Sequence, residues 1–199
     1  MFVAFALAAD AARRQGGTDE LVGWRGAAAC ERRCCKPDGY GSFVRSAVTY
    51  GFFLEYERGT ESARNYAAKF RAYYCYRDSG MATRDYDGFP TILFVMTSAR
   101  AEQRIADQAY RAWLSRERGP LPILIMTTDR IAAHSEGILG PIWRTPASPL
   151  VTYWQHGGPP RGLYGAGREP VRKLQLVWPT AHEPLLNSPR NESAGVQVR

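Results

Sequence analysis

Lysine is nearly absent from this chain. Of its 26 basic residues only Lys36, Lys69 and Lys173 are lysines, and every other is arginine. The two are not interchangeable at close quarters, because lysine is a compact point charge whose pKa moves readily. A lysine near acids in such a background points to a place that wants an ammonium, chance being the other explanation. Histidine is also scarce, at three residues. His134, His156 and His182 have no nucleophile pair near them in sequence and are read as incidental. The four cysteines, Cys30, Cys34, Cys35 and Cys75, lack the paired C-x-x-C spacing of a zinc ribbon. Reduced thiols in a cytosolic protein explain them better than zinc does. No apolar run is long enough to span a membrane. The opening run Phe2 to Ala9 has no basic residue before it and is followed by Asp10, Arg13 and Arg14, the wrong order for a signal peptide. The expectation is a soluble, cytoplasmic protein with no membrane partner.

What is present is enough for one core. At 199 residues and 45% hydrophobic, the chain fills a single domain and does not demand two. A formal charge of +7 and a pI near 9.4 favour an anionic partner, DNA first among the candidates. Scattered arginines from codon usage are the bland alternative.

The periodicities alternate between helix and strand. Residues 1 to about 15 predict an amphipathic helix stopped by Gly16-Gly17, and Leu21 to Trp24 a short strand. Arg25 to Lys36 has no clear pattern. Pro37-Asp38-Gly39 is turn chemistry, and Tyr40, Ser42 and Val44 alternate as a strand does. Arg45-Ser46 marks a turn. Val48 to Tyr56 follows, apolar on both faces as a central strand should be. Thr60 is the expected N-cap of a helix from Glu61 to about Arg77. Ser79 to Phe89 reads as a polar, solvated loop. Thr91 to Thr97 and Leu121 to Thr127 are buried strands flanking a helix from Ala99 to Arg118, with Ile105, Ala109 and Leu114 inward. Asp129 to His134 starts a short helix. Strands alternating with helices argue for an α/β domain with parallel pairings, here residues 1–144. Residues 145–199 form a Pro/Gly-rich, irregular C-terminal arm, partly disordered, in which Arg172 to Trp178 offers one more strand.

The chemistry gathers where apolar runs stop. Glu55 and Glu57 lie two apart in a strand and share a face. Ionised carboxylates are expensive to bury unpaired, but an oxygen set of this kind suits a hard divalent cation. Asp38 begins the preceding strand, and Lys69 lies on or beside the inward face of the following helix. The plainer reading makes Glu55 and Glu57 surface acids paired with Arg58 or Arg71, Asp38 a turn residue and Lys69 a snorkelling helix residue. The tyrosines at 66, 73, 74 and 76 read as core packing rather than a base-stacking platform.

The order helix, strand, Pro-Asp, strand ending in Glu-x-Glu, helix with Lys, strand resembles the restriction-endonuclease-like core written PD-(D/E)xK. The resemblance implies a mixed sheet flanked by helices, with Asp38 and Glu55 as ligands of Mg²⁺ and a lysine assisting attack on a phosphodiester. Position 57 departs from that pattern with Glu57 in place of the usual lysine, and Lys69 would supply the ammonium from the next helix. The catalytic set implied is Asp38, Glu55, Glu57 and Lys69. A closer resemblance covers roughly residues 1 to 135. Pro37-Asp-Gly-Tyr, Phe52-Phe-Leu-Glu-Tyr-Glu-Arg-Gly-Thr-Glu61, Lys69, Tyr73 and Pro90-Thr-Ile-Leu-Phe-Val are similar to the replication-relaxation family of plasmid and mobile-element proteins. That family usually carries a winged helix ahead of this part, and the present chain is expected to begin after it. The resemblance implies a DNA-binding or DNA-processing protein, in its active form a Mg²⁺-dependent nuclease. The alternative is an inactive nuclease-fold scaffold contacting DNA or proteins of replication or mobilisation.

Overall fold

A computed structural model of the protein describes residues 2–14, 16–116, 119–148 and 151–152. The elements run α1 (Phe2–Arg14), β1 (Glu20–Gly26), α2 (Ala27–Cys30), β2 (Gly39–Arg45), β3 (Val48–Glu57), α3 (Ala63–Asp78), α4 (Met81–Tyr86), β4 (Thr91–Met96), α5 (Ala99–Leu114), β5 (Ile123–Thr127), α6 (Thr128–Ala133), a 3₁₀ turn at Gly137–Leu139, β6 (Trp143–Arg144) and β7 (Val151–Thr152). The strands form one mixed sheet in the order β1-β2-β3-β4-β5-β6-β7, so spatial order follows chain order. Strands β1, β2 and β3 form an antiparallel meander, β3, β4 and β5 are parallel, and the short β6 and β7 return antiparallel. The three strong apolar runs therefore lie side by side in one mixed α/β sheet flanked by helices.

Alternation along the central strands builds the two faces. Phe53, Ile92, Phe94, Met96, Ile123 and Ile125 pack under α3, α4 and α5. Phe52, Leu54, Leu93, Val95, Leu124 and Met126 face the other way, onto Phe5 and Ala9 of α1 and the segment Ile138 to Trp143. Burial on both faces explains why these strands read as continuous apolar runs. Gly41 leaves room for the Phe52 ring, which a Cβ there would meet at 2.1 Å. The β2–β3 turn is made by Ser46 at φ 50° and Ala47 at φ 63°, the left-handed geometry of a two-residue hairpin loop.

Four local expectations are corrected. Helix α3 starts at Ala63 under Ser62, whose hydroxyl accepts from the Asn65 N–H at 3.2 Å, so Ser62 and not Thr60 is the cap. The segment Ser79 to Phe89 contains helix α4, bounded by Gly80 and Asp87 in left-handed conformations, and it buries Ala82 and Tyr86. Its Asp85 is held by Arg32 (3.2 Å) and the Tyr76 hydroxyl (2.8 Å) rather than solvated alone. Leu114, expected inward, is 59% exposed because α5 ends there, past the edge of the core. Arg25 to Lys36 resolves into the end of β1, the single turn α2 and a connection into β2. The expectations for the C-terminal arm, including Arg172 to Trp178, lie outside the described residues apart from its opening. No described helix is long and apolar enough to cross a membrane.

Candidate functional site at the carboxyl end of strand β3

The parallel strands β3, β4 and β5 end together. The segments that leave these strands toward α3, α5 and α6 therefore gather at one edge of the sheet. Strand β3 carries its alternation to the end, but with acids in place of apolar residues: Glu55 and Glu57 share the face of Phe53, under α3. Both are buried, Glu55 at 1% exposure and Glu57 at 4%. Gly59 makes the exit at φ +74°, and a Cβ on it would come within 2.8 Å of the Ala101 Cβ, so the turn lets α5 approach closely.

Helix α3 answers the two acids with one ammonium. Lys69 Nζ donates to Glu55 Oε2 at 2.8 Å and to Glu57 Oε1, and lies 3.9 Å from Glu61 Oε1. One turn further along the helix, the Tyr73 hydroxyl donates to Glu55 Oε1. Both oxygens of Glu55 are thus engaged by α3. The Asp38 carboxylate accepts the Tyr56 N–H at 2.8 Å, which anchors the start of β2 beside the end of β3. The structure accordingly brings Asp38, Glu55, Glu57 and Lys69 to one edge of the sheet. The pairing of the glutamates with Lys69 replaces the alternative of Arg58 or Arg71.

The electrostatics follow from burial. Desolvation pushes Glu55 up to about 7, against the opposing pull of Lys69 and the Tyr73 hydrogen bond. Burial alone would lower Lys69, but Glu55 and Glu57 together outweigh it and hold the ammonium above its ordinary value. Tyr73 is driven well above the usual phenol by burial and then by the charge of Glu55, so its hydroxyl stays a donor. Tyr66, one turn before Lys69, is raised by burial and then by Glu57, and its buried hydroxyl has no hydrogen-bond partner among the described residues.

A hard cation would find the right donor type here, since the acids offer only oxygen. As the side chains stand, the ammonium of Lys69 holds the place between the two glutamates that an ion would take. Among the described residues no three His, Cys, Asp or Glu side chains stand together in a way that would hold a metal ion.

A second charged cluster lies on the same edge and has no counterpart in the sequence reading. Glu102, 3% exposed in the first turn of α5, receives a two-pronged bond from Arg130 of α6, with both contacts at 2.9 Å. Arg144 of β6 adds an ion pair to Glu102 at 2.8 Å, although its Nε–H is not aligned for a hydrogen bond. Arg144 also donates to Gln103 at 3.2 Å. The partners lie 28 and more residues apart along the chain and follow no motif spacing. Tyr73 was more accessible, since it stands four residues after Lys69 on one helix face.

The chain matches none of the curated proteins and none of the solved structures with which it was compared. Residues 2–92, from α1 to the second residue of β4 and including Asp38, Glu55, Glu57 and Lys69, match the family model for replication-relaxation, a match that fits a protein of replication or of a mobile element.

Proposed function

We propose that this chain is a DNA-binding protein of a plasmid or other mobile element, acting in its replication or mobilisation without cutting the strand itself. The observation that carries the non-cleaving half is the Lys69 clamp. An ammonium bridging Glu55 and Glu57, with Tyr73 closing the remaining Glu55 oxygen, occupies the acids with hydrogen-bond partners from the protein itself. The replication-relaxation match supports the biological setting. The binding surface is supported by arginines on solvent-facing sides of neighbouring helices: Arg64 and Arg71 of α3 and Arg100, Arg104 and Arg111 of α5 are all exposed. Guanidinium groups so placed suit phosphate contacts, which hold a duplex without reading its sequence.

The test is a binding isotherm on duplex and single-stranded DNA across a salt series. Log K should fall linearly with log salt, with a slope of about −0.9 per phosphate neutralised on duplex. Sequence preference should be small. Replacing Arg100 and Arg104 together by Ala should weaken binding evenly across sequences and flatten the slope. No binding at low salt, or a slope indifferent to those substitutions, would sink the DNA reading.

A second reading is a Mg²⁺-dependent phosphodiesterase using Asp38, Glu55, Glu57 and Lys69, with Asp38 and Glu55 toward the ion. It is favoured by the Asp38–Tyr56 bond, which puts a third carboxylate at the same strand end. Incubation of supercoiled and linear DNA with Mg²⁺ or Mn²⁺ separates the two. Cleavage by the wild type that is lost in Glu55→Gln establishes the enzyme and overturns the clamp reading. Intact DNA in both, with salt-dependent binding retained, supports the binding protein.

A further inference from the structure

Two of the four cysteines touch. Cys75 Sγ on the exposed side of α3 donates to Cys34 Sγ at 3.0 Å, across 41 positions of chain. Cys34 lies in the connection between α2 and β2, four residues before Asp38, and Cys75 lies two residues after Tyr73. The other two thiols are sealed. Cys30 is buried and donates to the Arg25 carbonyl at 3.2 Å. Cys35 is buried in the core beneath α3, and burial pushes it up to about 12. Reactivity belongs to accessible thiolates, so burial removes Cys30 and Cys35 from competition. The connection itself is well held: the Arg32 N–H donates to the Cys35 carbonyl at 2.9 Å, and the Arg32 side chain bonds Asp85 and the carbonyls of Ala29 and Glu31. The two sulfurs therefore face each other across two ordered elements, and an S–S bond of about 2.0 Å needs them only about 1 Å closer.

We propose that Cys34 and Cys75 are a reversible redox pair, closing to a disulfide that fastens the segment leading into Asp38 onto helix α3. The oxidant is a small-molecule disulfide, RSSR. The Cys75 thiolate attacks one of its sulfurs, forming a mixed disulfide and releasing RS⁻. The Cys34 thiolate then attacks the Cys75 sulfur, forming the intramolecular bond and releasing the second RS⁻. The two protons lost by the cysteines end on the two RS⁻ leaving groups as RSH. The protein is oxidised by two electrons and RSSR is reduced by two. A small-molecule thiol reverses both steps. The hydrogen bond to Cys34 is the main influence raising the Cys75 thiol, so closure accelerates as pH rises.

The experiment treats the full chain with oxidised glutathione, quenches free thiols with an alkylating agent, and maps the digest by mass spectrometry under non-reducing conditions. The expected result is a monomer that has lost two hydrogens, one Cys34–Cys75 linked peptide pair, and alkylatable Cys30 and Cys35 after denaturation. The oxidised form should melt at a higher temperature than the reduced form, and dithiothreitol should erase the difference. Cys34→Ser and Cys75→Ser, both tolerable at partly or fully exposed positions, should each lose the linkage and the thermal shift while keeping the reduced wild type's melting temperature. A bridge through Cys30 or Cys35, disulfide-linked dimers as the main product, or no linked peptide at all would overturn the proposal. So would a thermal shift that survives in Cys75→Ser.

Discussion

Glu55→Gln tests whether burial or its neighbours govern the buried carboxyl at the end of β3. Glu55 is 1% exposed and raised from 4.5 to about 7, with desolvation as the leading cause. A carboxyl whose folded-state pKa lies above its unfolded value holds a proton in the native state that the unfolded chain has already released. Its contribution to stability is therefore present in full below about pH 4.5 and lost as pH rises to about 7. At about 1.4 kcal/mol per pKa unit, the loss across that window is about 3 kcal/mol. For a chain of this size that corresponds to a fall in melting temperature of about 6–12 °C. Glutamine reproduces the shape of the protonated acid but does not ionise. Its amide NH₂ will face one of the two donors, Lys69 or Tyr73, at a pH-independent cost of about 1–3 kcal/mol. The absolute melting temperature of the variant is thus not the test; the pH slope is. Thermal melts from pH 4.5 to 8 should show the wild type losing stability relative to Glu55→Gln as pH rises. Parallel curves would mean that Lys69 and Tyr73 neutralise the carboxylate fully, and the argument from burial would fail.

Other substitutions probe the same framework. Lys69→Met leaves Glu55 and Glu57 facing each other without their shared ammonium and should cost roughly 3–5 kcal/mol in urea unfolding; a loss under about 1 kcal/mol would refute a structural role for the clamp. Mg²⁺ should raise the melting temperature of Lys69→Met more than that of the wild type, because the ion then replaces the missing charge and binds only the folded state. An equal response would show that Lys69 does not hold that place. Ala47→Gly relieves a left-handed φ of 63° and should stabilise the β2–β3 hairpin by about 0.5–1 kcal/mol after the entropy of the added glycine is subtracted; a lowered urea midpoint would contradict it.

The parts of the fold that were legible are those written in neighbouring residues. Phe52 to Leu54, Ile92 to Met96 and Ile123 to Met126 are apolar in every position, and a strand covered on both faces has no other way to look. The match of Glu55 and Glu57 with Lys69 was legible as a juxtaposition because strand and helix are consecutive, though the partner could equally have been an arginine on paper. Helix α4 was hidden because six residues flanked by Gly80 and Asp87 in left-handed conformations leave no periodic stripe to detect. Thr60 and Ser62 are both capping residue types ahead of the same helix, so composition alone does not separate them; the start of α3 at Ala63 does. The cluster of Glu102, Arg130 and Arg144 was illegible for a different reason. Three elements far apart in sequence meet there, and nothing local in any of them signals the others.

The sheet is laid down in the order in which it is spelled. Each strand from β2 to β7 pairs with the one made just before it, so none has to be threaded between two already joined. A chain leaving the ribosome can therefore add strands one at a time to an existing edge, and the meander of β1, β2 and β3 emerges ahead of α3. Only then do Lys69 and Tyr73 emerge to cover Glu55 and Glu57. Until that moment the nascent edge carries two uncompensated carboxylates on the face that will become buried. Such charges disfavour edge-to-edge pairing between neighbouring chains during synthesis.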